Sequence, residues 1–136
     1  MIAITDYLAG VPLFLAYFAT ALVLTGIYTF VYTRLTPHDE MALIKENKPA
    51  AAIAFSGSLI GFVLPLSSVI ENSINLIDMA LWGFVALIIQ AATFFSVRVA
   101  MPKISERIAN DEMAAGILLG GVSIAAGLLN AACLTY

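Results

Sequence analysis

The residues in this sequence whose types could do chemistry are few and widely spaced. His38, Asp39 and Glu40 form one polar cluster, and Asp111 with Glu112 would add oxygen donors. Such a set suits a metal ion only where two loops distant in sequence meet, so no metal site is expected. Glu71, Asn72, Asn75 and Asp78 form a second acidic group, read as a solvated loop. Ser56, Ser58, Gln90 and Asn130 are polar, uncharged side chains inside otherwise apolar runs, and are the candidates to line a path for an ion or an uncharged solute. The single cysteine, Cys133, rules out an intramolecular disulfide and a cysteine-based metal centre. No nucleophile has a partnered base, no glycine loop could cradle phosphate, and there is no histidine pair. Neither an enzyme nor a cofactor is expected.

The elements that must position these groups are membrane spans. The chain has 136 residues, of which 62% are hydrophobic and 11% charged, with a mean hydropathy of +1.00. A soluble domain carries about a quarter of its residues as charges, so most of this surface must face lipid. The net charge of −3 gives no basic face for nucleic acid. The N-terminus, with Asp6 where a basic region would stand, reads as the start of a retained helix and not as a signal peptide.

Four apolar segments reach the roughly 20 residues that a bilayer requires: about 7–33, 49–70, 79–100 and 113–134. The first is long enough to predict tilt or protrusion. Together they make one all-α integral membrane domain over residues 1–136. No Asp, Glu, Lys or His falls mid-span, which argues against a proton-coupled carrier.

Arg34, Lys45 and Lys48 flank the first connection, and Arg98, Lys103 and Arg107 the third. The second connection and both ends hold no Lys or Arg, which predicts connections one and three in the cytoplasm and both termini outside. Tyr7, Trp82 and Tyr136 then fall at the outer interface and Tyr32 at the inner one. Both cytoplasmic connections read as short interfacial helices. Thr36 and Pro37 would open the first, from which Met41 and Ile44 dip toward lipid. Pro102 would open the second, with Ile104 and Ile108 on one face, and Asn110 or Asp111 would cap the fourth span.

The chain also resembles itself. A shift of 64 pairs Thr29-Phe30 with Thr93-Phe94, Arg34 with Arg98, Ala50-Ala51 with Ala114-Ala115 and Gly57 with Gly121. The reading is two tandem two-helix repeats in the same orientation, about 7–70 and 79–134, related by an axis along the membrane normal. A shift of 66 instead aligns the small residues, Ala50 with Gly116, Ala54 with Gly120 and Gly61 with Gly127.

Those small residues form two seams. Ala50, Ala54, Gly57 and Gly61 share one face of the second span; Gly116, Gly120, Ser123 and Gly127 share one of the fourth. In lipid, helices associate by close packing, so such faces predict contact within one bundle or between subunits. Pro65 predicts a kink, its clash with the Gly61 carbonyl relieved by that glycine, and Ser67 or Ser68 is available to satisfy freed backbone groups.

The runs Thr36-Pro37-His38-Asp39-Glu40, Ala54-Phe55-Ser56-Gly57, Gly61, Pro65-Leu66-Ser67-Ser68 and Asn130-Ala131-Ala132-Cys133 resemble the YjfL-like family of four-helix bacterial inner-membrane proteins. The resemblance continues through Trp82-Gly83, Val97-Arg98 and Met101-Pro102. It implies an inner membrane and a repeated two-helix unit, and carries over no catalytic or binding residue. The functional expectation is an oligomeric structural or partner-binding membrane component whose known partner is the bilayer. The alternative is a small oligomeric channel or carrier.

Overall fold

The computed structural model describes residues 4–36 and 40–134. Seven helices follow one another: α1 (Ile4–Leu8), α2 (Val11–Leu35), α3 (Glu40–Lys45), α4 (Pro49–Asn72), α5 (Leu76–Ala100), α6 (Ile104–Ala109) and α7 (Met113–Cys133), with no strand among the described residues. Among the described residues, four stretches are long and apolar enough to cross a membrane: Ile4–Leu35, Pro49–Asn72, Leu76–Ala100 and Met113–Cys133.

Local chemistry sets most boundaries. Pro12 has no amide to offer the Leu8 carbonyl, and its ring crowds that carbonyl. The helix therefore breaks at Ala9–Gly10, where the Gly10 amide reaches only to Tyr7 O at 3.3 Å. Pro49 stands at the first helical position of α4, where a missing donor is harmless. Asn75 opens α5 by accepting from the Asp78 amide at 2.8 Å, while Asp78 accepts from the Ile74 amide at 3.1 Å. The acidic loop is thus occupied with starting a helix.

The links α3–α4 and α6–α7 are built alike. Amides of Glu46, Asn47 and Lys48 bond to Ala42, Ile44 and Leu43 carbonyls; those of Asn110, Asp111 and Glu112 bond to Glu106, Ile108 and Arg107 carbonyls. Asn47 and Asp111 both sit in the left-handed region, at φ 63° and 59°. Asn and Asp tolerate that conformation better than other side-chained residues.

α4 and α7 run parallel and form the centre, α5 packs against both, and α2 lies outermost against α5 and α4. α2 contributes Leu24, Tyr28 and Tyr32 to the core and exposes most of its remaining surface. Tyr28 stacks on Phe62 at 4.6 Å between ring centroids, and Tyr32 meets Phe94 edge-on at 5.6 Å. The connections bearing Arg34, Lys45, Lys48, Arg98, Lys103 and Arg107 gather at one end of the bundle. There the Arg98 guanidinium donates to Leu35 O at 3.0 Å.

Several expectations change. Ile104 and Ile108 share a face as anticipated, but both are fully buried under α4 and α7. Tyr32 is buried, its hydroxyl donating to Glu40 Oε1 at 3.0 Å, so it is not a lipid-facing anchor. Thr36 closes α2, its hydroxyl turned back to Tyr32 O at 3.1 Å; Pro37, His38 and Asp39 lie outside the described residues. Pro65 lies buried inside α4, which runs on to Asn72; the bend expected there concerns the direction of the helix axis and not its continuity.

Candidate functional site

The two small seams face each other. Packing is so close that a Cβ added at Gly57 would lie 2.8 Å from the Gly120 carbonyl oxygen, and one at Gly120 2.9 Å from Ile53 O. Added at Gly116 it would meet Ala50 C at 3.0 Å, and at Gly127 it would meet Gly61 C at 2.8 Å. These are backbone-on-backbone contacts, the geometry in which Cα–H groups can approach carbonyl oxygens. Ala50, Ala54, Gly57, Gly61, Gly116, Gly120, Ser123 and Gly127 are all buried in this one contact within a single chain. Neither seam is left open for a second subunit. The contacts Ala50–Gly116 and Gly61–Gly127 are offset by 66 residues and Gly57–Gly120 by 63, on either side of the 64 at which the α3–α4 and α6–α7 links match.

Polar side chains close the ends of the same pair, each capping the other helix. Asp111 does not cap α7, whose cap position is Glu112; it reaches across to accept from the Ala50 amide at 3.0 Å, satisfying the start of α4. The Ser68 hydroxyl reaches across to donate to Ala131 O at 3.0 Å and Leu134 O at 3.3 Å, at the end of α7, while accepting from Asn72 of its own helix at 3.4 Å. Glu112 pairs with Arg107 at 3.2 Å on the surface, a bond worth under about 1 kcal/mol.

Deeper polar groups point inward to separate partners. Ser58 and Tyr28 hydroxyls bond at 2.6 Å, joining α4 to α2. Gln90 lies over Gly61 and donates through Nε2 to Ser123 O at 3.2 Å; its Oε1 is buried and accepts no hydrogen bond. Asn130 donates to Ala86 O at 3.4 Å. Ser56 instead faces outward, in an apolar groove of about 450 Å³ between α4 and α7, beside Gly57, Ile60, Gly120 and Gly121. Among the described residues, three of the four candidate path-lining side chains are thus turned to other helices and Ser56 to the outer groove.

Sequence reasoning missed Tyr28, Tyr32, Gly83 and the crossed role of Asp111. Gly83 is where Leu24 of α2 seats on α5: an added Cβ would meet Leu24 Cδ1 at 2.6 Å. A glycine inside a span was an available signal for close approach. The tyrosines had none, since aromatic residues at span ends are ordinarily read as interface anchors.

The family model described as Domain of Unknown Function (DUF350) matches residues 6–134. The UPF0719 inner membrane protein YjfL of Escherichia coli K12 is 46% identical over 123 residues, covering 90% of this chain and 93% of that one. The UPF0719 transmembrane protein YshE of Bacillus subtilis 168 is 24% identical over 119 residues, covering 86% and 89%. No solved structure matches. With its four long apolar helices and this match along nearly its whole length, the chain belongs to the DUF350 family of membrane proteins.

Proposed function

We propose that the protein is a non-enzymatic component of a bacterial inner membrane, acting as an oligomer in a structural or partner-binding role. One observation carries this reading. Ser58, Gln90 and Asn130 are each turned toward another helix of the same chain, and the bundle presents an apolar exterior with α2 packed along one edge only. A span so lightly held is a ready surface for another helix. Both small seams are occupied inside the chain, so self-association would use the outer face of α2, where Phe14 and Phe18 stack at 6.0 Å. Native mass spectrometry of the protein released from lipid nanodiscs, with cysteine cross-linking at Phe14 and Phe18, tests this. A monomer without cross-links would sink it.

The six Lys and Arg at one end of the bundle support a layout with that end in the cytoplasm and both termini in the periplasm. The recurring hydrogen bonds of the two links support a duplicated two-helix unit.

Gln90 favours the second reading, a small oligomeric channel or carrier, because a buried carbonyl oxygen without a donor is a group that a permeating species could satisfy. Flux through protein-containing liposomes no greater than through empty ones would remove it.

A further inference from the structure

We propose that the turn between α5 and α6 holds an anionic phospholipid. Two concavities meet at Pro102. One, of about 420 Å³, is formed by Phe95, Arg98, Val99 and Pro102. The other, of about 340 Å³, is formed by Met101, Pro102, Lys103, Ile104 and Arg107. Half of the chain's six cationic side chains thus rim two adjoining hollows that share Pro102 and have mainly apolar floors. They lie where α5 leaves the hydrocarbon, and Val99 (79% exposed) and Phe95 (46% exposed) extend them along the lipid-facing side of the helix.

The charges there are not equally available. Arg107 shares its charge with Glu112 at 3.2 Å, and Glu106 is exposed on α6. Arg98 commits one donor to Leu35 O, which fixes its position and leaves most of its five N–H groups for another acceptor. Lys103 is exposed. Arg34, at the matching position of the first hairpin, instead lies over its own Phe30 ring at 4.9 Å. A phosphodiester at the basic rim with an acyl chain along Phe95 and Val99 satisfies both rim and floor, and basic hollows at span ends suit anionic headgroups. A soluble phosphate would use the rim and leave the apolar floor to water.

Delipidated full-length protein in neutral detergent, titrated with phosphatidylglycerol or phosphatidylcholine and followed by native mass spectrometry, tests the site. The variant R98Q/K103Q/R107Q should weaken phosphatidylglycerol binding at least tenfold, against under twofold for R34Q/K45Q/K48Q, which removes equal charge from the same end. K103Q/R107Q, which keeps the Arg98–Leu35 bond, should still weaken it severalfold with an unchanged melting curve. Equal losses in the two triple variants, no preference over phosphatidylcholine, or displacement of bound lipid by millimolar inorganic phosphate would each overturn the assignment.

Discussion

Gly127 of α7 packs its backbone against the carbonyl of Gly61, the group on α4 that Pro65 deprives of its regular amide partner. The proline and the glycine seam are therefore one arrangement. A carbonyl released by the missing donor lies against a facing helix that has no side chain to obstruct it.

Leucine at Gly57 or Gly120 should open this contact. Each side chain would have to displace backbone, and overpacking of that kind costs about 1–3 kcal/mol or more. Gly26→Ala and Gly121→Ala, where an added Cβ meets nothing within 4 Å, should stay within about 0.5 kcal/mol. Thermal melts in one detergent check the contrast. Similar midpoints for all four variants would refute the contact.

Asp111→Ala removes the bond to the Ala50 amide and should destabilise by about 1 kcal/mol, the usual loss for a cap. Asp111→Asn keeps an acceptor and tolerates the left-handed backbone, so it should retain most of the stability. An Asp111→Ala protein as stable as the parent would show that the bond contributes nothing.

The Tyr28–Ser58 bond can be isolated with Tyr28→Phe, Ser58→Ala and the double variant. A coupling of about 0.5–1 kcal/mol is expected, since polar pairs between spans are worth little more than that. Strictly additive losses in denaturant titrations would argue that the 2.6 Å contact is energetically silent.

Gln90→Met should be tolerated, within about 1 kcal/mol of the parent. The amide makes one bond, at 3.2 Å, and leaves its oxygen buried without a donor, so an apolar replacement relieves as much as it removes. A loss well above 2 kcal/mol would mean that Oε1 is satisfied by a species the bundle retains.

Much of the architecture was legible because span length and small-residue spacing are strong signals in lipid. Ala50, Gly57, Gly61, Gly116, Gly120 and Gly127 were readable as contact faces from periodicity alone. That the two faces meet each other was not, because spacing on one helix carries no information about its partner. The same limit applies to Asp111. A carboxylate ahead of α7 reads as the cap of α7, and only the juxtaposition of the two links sends it to α4. Ile104 and Ile108 were legible as a face, but an apolar face looks the same whether it meets lipid or protein.

The central pair α4–α7 also constrains how the molecule is made. Its two members are separated in the chain by all of α5, so during synthesis the seam of α4 enters the bilayer long before its partner exists. Until α7 inserts, Gly57 and Gly61 can be covered only by acyl chains or by a passing helix. Truncation before Met113 should therefore yield a three-span product that integrates normally yet stays open to foreign spans and to membrane proteases. Completion of the last helix is the event that commits the bundle to its final form.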